Sequence, residues 1–165
     1  MKMVPDFPYM PLNTETFEIR LLRFQKDLSG SIIGWLERFS LDDPNRPKFN
    51  TLSYVWGEKQ FSHTVIINGH PFALLNALNP ILNAICSDES LCACWWWIDC
   101  ICIDQRTDAF ARLERNTQVY MMKRIYEVSE TTIGWLGQGK EEGEDGIRFL
   151  KVLSRNNKRL YDQRE

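Results

Sequence analysis

The sequence predicts an α/β domain: one open, partly parallel sheet flanked by helices, with an added β-hairpin. Three observations predict it. The chain has 165 residues, 44% of them hydrophobic, and a formal net charge of -2 from 20 basic and 22 acidic side chains. That suits one domain with one core and argues against disorder. Apolar strands alternate with helical patterns in the second half, the order that builds parallel strand pairs. Asn68-Gly69 stands between two apolar arms, the strongest short-range hairpin signal, because both turn positions must accept positive φ.

Residues 1–14 read as a loose N-terminal arm, 15–154 as the domain and 155–165 as a polar C-terminal tail. Phe17-Glu18-Ile19-Arg20-Leu21-Leu22 alternates and predicts a first strand. Residues 31–39 predict a second, with Gly34 as a bulge or a point of close approach. The Asp/Pro-rich stretch 41–47 is a loop. Thr51-Leu52-Ser53-Tyr54-Val55-Trp56-Gly57 reads as a buried strand opening onto a loop. Pro71, in the second arm of the hairpin, suits an edge strand. Asn76 is placed to cap a helix running to about Cys86, with Leu78, Leu82 and Ile85 at helical spacing and Pro80 in its first turn. Residues 95–103 are apolar except for Asp99 and predict a central strand, with Trp97, Asp99 and Ile101 on one face. A helix over 110–130, a strand over 131–136, an acidic glycine loop and a last helix over 144–153 complete the order.

Near-balanced charge gives no basic nucleic-acid surface. No apolar run approaches the roughly 18–20 residues of a membrane span. The Pro-interrupted start lacks the apolar segment of a signal peptide. A soluble cytoplasmic chain is expected. The five cysteines, Cys86, Cys92, Cys94, Cys100 and Cys102, are odd in number and crowded, unlike a disulfide framework. Their C-x-C spacing and the presence of only His63 and His70 fit zinc poorly. No metal and no resident cofactor are expected.

On the helix over 110–130, Glu114, Gln118, Met121 and Ile125 follow one stripe at 100° per residue. Two polar residues thus extend the face that methionine and isoleucine bury. Glu114 is then partnered, raised in pKa or opened to a pocket; near the helix start it is also at home as a solvated carboxylate. If it faces inward, its partner is expected to be Gln105 or an amide from 53–57. Asp99 interrupts an apolar run, and Asp104-Gln105 lie where that run ends. Ligands in open α/β sheets bind at the carboxyl ends of strands, while a hydrogen-bonded anchor and a turn former are the plain alternatives. Gly137-x-Gly139 with Gly143 has the wrong spacing for a dinucleotide fingerprint, and Glu141, Glu142, Glu144 and Asp145 would repel a pyrophosphate.

Several blocks in order resemble the fungal heterokaryon-incompatibility (HET) domain. They are Glu18-Ile19-Arg20-Leu21-Leu22, Leu52-Ser53-Tyr54-Val55-Trp56-Gly57 and Trp97-Ile98-Asp99-Cys100-Ile101-Cys102-Ile103-Asp104-Gln105. Glu114-Arg115, Gln118-Val119, Met122, Ile125-Tyr126 and Trp135-Leu136-Gly137 continue the series, so the resemblance spans about 17–139. Departures are the triple tryptophan with Cys94 ahead of Ile98, and Asp104 where the family often has asparagine.

The resemblance implies a role in non-self recognition and programmed cell death. The implied partners are other cell-death or HET-related proteins, or a second copy. Such domains usually precede further C-terminal sequence, so a truncated or stand-alone form is expected here. The family is distantly similar to TIR domains, some of which cleave NAD with a glutamate, which implies a TIR-like, flavodoxin-like outline and makes NAD(P) a candidate substrate. Glu114 and Asp99 are then the candidate catalytic carboxylates. Tyr54, Trp56, Gly57, Asp104, Gln105 and Gln118 are the candidate ligand-binding residues. The TIR glutamate lies on a helix after a later strand, which points instead to Glu141, Glu142 or Glu144. The alternative is a non-catalytic interaction and oligomerisation module.

Overall fold

The computed structural model describes residues 6–138 and 147–153, with side chains as far as Trp135. The first two alternating segments form β1 (Glu18–Lys26) and β2 (Ile32–Ser40), antiparallel in unbroken register from Glu18↔Ser40 to Lys26↔Ile32. The Asp27 carboxylate closes their turn by accepting from the backbone N–H groups of Ser29 and Ser31. Gly34 lies opposite Phe24 without a bulge. A Cβ there would stand 3.3 Å from the Arg23 carbonyl oxygen, so close approach is the reason for glycine.

The Asn-Gly hairpin forms as expected. β4 (His63–Ile67) and β5 (His70–Leu74) are joined through Asn68 and Gly69, both at positive φ. The Asn68 side chain also clamps β2, donating to the Leu36 carbonyl and accepting from its N–H. With β3 (Phe49–Ser53), β6 (Trp95–Trp97), β7 (Thr131–Gln138) and β8 (Ile147–Leu153), the strands make one sheet in the order β5-β4-β2-β1-β6-β3-β7-β8. Pro71 falls on its edge strand. β3 pairs in parallel with both β6 and β7, and β2 with β4, which makes the sheet partly parallel.

Four expectations need correction. Where a helix over 144–153 is expected, the described residues form β8, antiparallel to β7; 144–146 lie outside the described residues. The seven residues of β8, five apolar ones interrupted by Arg148 and Lys151, are too few to separate a helical from a strand period, and pairing satisfies what would otherwise be an open edge of β7. The central strand stops at Trp97, and the chain enters a helical turn, α3 (Asp99–Cys102). Residues buried on every side show no periodicity, so the run could not reveal that change of state. Trp97 and Ile101 are both fully buried, but on different elements. α1 (Leu78–Ser87) has no side-chain cap, because Asn76 instead accepts from the Ser62 N–H and hydroxyl. The N-terminal arm is packed from residue 7: Phe7 and Leu12 are buried, and the Phe7 ring meets Phe72 edge-on at 5.3 Å.

The remaining helices among the described residues are α2 (Glu89–Cys92) and α4 (Ala109–Val128), capped by Asp88 and Asp108 respectively. The crossover from β3 to β6 and that from β6 to β7 run in opposite directions along the sheet. Right-handed connection therefore puts their helices on opposite faces. The contacts agree. Trp96, paired with Leu22, donates its indole N–H to the Leu91 carbonyl of α2, while Trp97 meets Tyr126 of α4 edge-on at 5.7 Å. Among the described residues no helix is long and apolar enough to cross a membrane.

Candidate functional site

Opposed crossovers leave a crevice between the carboxyl ends of β3 and β6, where ligands of open α/β sheets bind. Tyr54 and Trp56 follow β3, and Gly57, at φ 63, turns the chain away. Asp99 opens α3 just after β6. Its carboxylate bridges the crevice. Tyr54 donates its hydroxyl to Oδ1 at 3.0 Å, Trp56 donates its indole N–H to Oδ2 at 3.0 Å, and the Cys100 N–H donates to Oδ1 at 2.7 Å. All three donors are neutral. Burial raises the Asp99 pKa above the ordinary carboxylate value, although the bonds from Trp56, Cys100 and Tyr54 pull the other way. The same burial, with Asp99 beside it, lifts the Tyr54 hydroxyl far above its usual range. The Cys100 thiol is pushed up to about 12, chiefly by burial and then by Asp99, which makes it a poor nucleophile at neutral pH.

Next to this bridge lies a cavity of about 670 Å³. Trp56, Cys100 and Gln105 line it from the crevice side, and Phe7 and Tyr9 from the N-terminal arm. Phe61, Phe72 and Ala73 add apolar wall, and Thr107 a hydroxyl. Three cations, Lys59, Arg106 and Arg115, share it with one carboxylate, Asp6. Gln105 donates to the Asp99 carbonyl at 3.4 Å. Asp104 is 3% exposed and grips Arg106 through Nε and Nη2, the closest contact being 2.7 Å.

Glu114 faces inward but belongs to a different cluster. Arg20, on β1 and 2% exposed, donates Nη1 to Oε1 and Nη2 to Oε2, both at 2.8 Å. The Leu12 N–H donates to Oε2 at 3.1 Å. The expected partners, Gln105 and the amides of 53–57, are thus replaced by Arg20 and Leu12. Arg20 also donates to the carbonyls of Met10 and Cys102 and lies 4.8 Å from the Tyr9 ring centroid. One guanidinium so ties together β1, the arm, α3 and α4. Gln118 is fully buried and donates to the Glu18 carbonyl at 2.8 Å, away from the cavity lining. Glu141, Glu142 and Glu144 lie outside the described residues.

A family model described as "Heterokaryon incompatibility protein (HET)" matches residues 49–165. The chain belongs to the HET family. The match begins at β3, so it takes in every strand of the crevice and all of the cavity except the arm. This HET chain is also 26% identical over 128 residues to "Heterokaryon incompatibility protein 6, OR allele" of Neurospora crassa. That alignment covers 71% of the chain but 18% of the relative, so the chain spans under a fifth of that protein's length. No solved structure matches it.

Of the residues marked in the HET sequence, Tyr54, Trp56 and Asp99 come together, with Gln105 alongside. Asp104 joins them only through Arg106, while Glu114 and Gln118 do not join them. Tyr9, Lys59, Arg106 and Arg115 escaped the sequence reading. A signal existed for Arg106, two residues after an aspartate at a turn; Arg20 and Arg115 stood inside the HET-like blocks and Lys59 three residues after Trp56, but no local pattern marked their roles, and the partner of Arg20 lies 94 positions away.

Proposed function

We propose that this HET domain acts in fungal heterokaryon incompatibility as the signalling part of a longer protein, and that it does so by cleaving NAD(P) in the strand-end cavity. The observation that carries this reading is a cavity of nucleotide size beside Trp56, whose indole Asp99 orients across the crevice. The reaction is a hydrolysis. Water forms a bond to ribose C1′, the C1′–N bond breaks, nicotinamide leaves with the bonding pair, and the water's second proton passes to solvent. The ribosyl centre becomes cationic on the way, and negative charge held near it lowers the barrier. Asp99 has no cationic partner among the described residues; it stands behind Trp56 and Cys100 of the cavity wall with both oxygens accepting from neutral donors, so no counter-charge cancels its field at the ribosyl centre. Trp56 offers an aromatic face to a ring of the substrate, and Gln105 a side-chain amide. Partners are other incompatibility proteins or further copies of the chain, and the site of action is the cytoplasm.

The test is nicotinamide release by the purified chain, incubated at high concentration and with a crowding agent in NAD or NADP. Release is expected; none from either dilute or assembled protein overturns the hydrolase. A specific observation favours the second reading, an interaction module. Phe110, Leu113 and Tyr120 stand within about 80° of one another around α4, and Phe110 and Tyr120 are 86% and 88% exposed. Loss of self-association in Leu113→Asp or Tyr120→Glu, with no nicotinamide release from the wild type, selects that module.

A further inference from the structure

Cations facing a concave, aromatic-walled space need an explanation. Arg106 has one in Asp104, which holds its guanidinium from behind, with Asp108 also within 3.9 Å. Arg115 and Lys59 do not. Arg115 donates to the Arg106 carbonyl at 3.3 Å and Lys59 lies 5.9 Å from the Trp56 ring centroid, but neither forms an ion pair among the described residues. Among the described lining residues Asp6 is the one carboxylate, so with Arg106 matched by Asp104 the two remaining cations, Lys59 and Arg115, still outnumber it. Charge is costly to collect in a recess with apolar walls unless something of opposite sign enters.

We infer that Lys59, Arg106 and Arg115 form a phosphate subsite, and that the occupant is a phosphorylated nucleoside whose base or ribose lies against Trp56 and Tyr9. Arginine presents a planar fork that matches two phosphate oxygens, and lysine adds a point charge. The bond from Asp104 fixes the direction of the Arg106 fork before a ligand arrives, and that of Asp99 does the same for Trp56. A free base or an unphosphorylated nucleoside would use the aromatic walls and leave the cations idle. This inference rests on the reading of the cavity as the ligand site, but it concerns binding and requires no turnover.

The experiment is isothermal titration of the wild-type chain with ADP, adenosine and pyrophosphate, at low and high salt, repeated for ADP and adenosine in Arg115→Gln and Lys59→Gln. Both variants change side chains at the cavity rim and leave the Arg20 and Asp104 clusters intact. ADP is expected to bind about tenfold or more tighter than either adenosine or pyrophosphate, to weaken with salt, and to lose about tenfold in each variant while adenosine does not change. Equal affinity for ADP and adenosine overturns the inference, as does ADP binding that neither variant moves, or no ADP binding at all. Pyrophosphate binding as tightly as ADP overturns the nucleoside part. ADP binding that behaves as expected without nicotinamide release refutes hydrolysis alone. Nicotinamide release that ADP does not inhibit refutes the subsite alone.

Discussion

Asp99 and Glu114 are both inward-facing carboxylates near the start of a helix, yet their surroundings differ in kind. Glu114 meets a guanidinium with both oxygens, and that guanidinium is in turn saturated by backbone carbonyls. Asp99 meets only neutral donors and stands beside an open cavity. A carboxylate neutralised by a buried cation is committed to architecture, because neither partner can leave without stranding the other. One held by a phenol, an indole and an amide keeps its charge and remains able to act on something that enters. On the proposed reading the chemistry of the crevice belongs to Asp99, while the Glu114 cluster holds the arm and α4 where they wall the cavity.

The largest expected effect comes from breaking the architectural cluster. Arg20→Met leaves the Glu114 carboxylate and the Met10 and Cys102 carbonyls without their shared donor, and should cost about 3–5 kcal/mol in denaturant unfolding. An unchanged midpoint would remove the distinction drawn between the two clusters. Glu114→Gln keeps the shape and one acceptor, so a smaller loss of about 2–3 kcal/mol is expected by the same measurement.

Breaking the other cluster should cost less stability. In Asp99→Asn one acceptor oxygen becomes a donor that faces either Tyr54 or Trp56, for a loss of about 1–2 kcal/mol. Trp56 fluorescence should shift as its indole N–H loses its charged partner. A loss as large as that of Arg20→Met would make Asp99 a structural anchor as well.

What was legible in the chain follows the same division between local and distant interactions. The Asn68-Gly69 turn, the α4 stripe and the alternation of β1 were readable because each is set by neighbours within a few residues. The Arg20–Glu114 pair spans 94 positions, and an alternating strand pattern marks Arg20 simply as polar. The turn at Asp99 was hidden because Trp97, Ile98, Cys100, Ile101 and Cys102 are all buried, so no solvent face recorded the change from strand to helix. The crevice still emerged, since an aspartate in such a run is conspicuous wherever the strand ends.

The smallest effect is the pH dependence of the comparison. Burial raises Asp99 above its unfolded value of about 3.9. Between the unfolded and the raised folded value the folded chain binds more protons, so this group's contribution to stability falls as pH rises through that window. Asparagine has no such dependence. The deficit of Asp99→Asn against wild type should therefore be larger near about pH 4 than near about pH 7 in urea titrations. A deficit that grows with pH would mean that the three donors outweigh burial.

The most direct measurement is the rate of nicotinamide release per folded molecule, in parallel for wild type, Asp99→Asn and Glu114→Gln, with the folded fraction read by circular dichroism. The account predicts release by the wild type, a loss of about a hundredfold or more in Asp99→Asn, and a wild-type specific rate in Glu114→Gln despite its lower stability. Release abolished in Glu114→Gln but intact in Asp99→Asn, or absent from the wild type altogether, would contradict it.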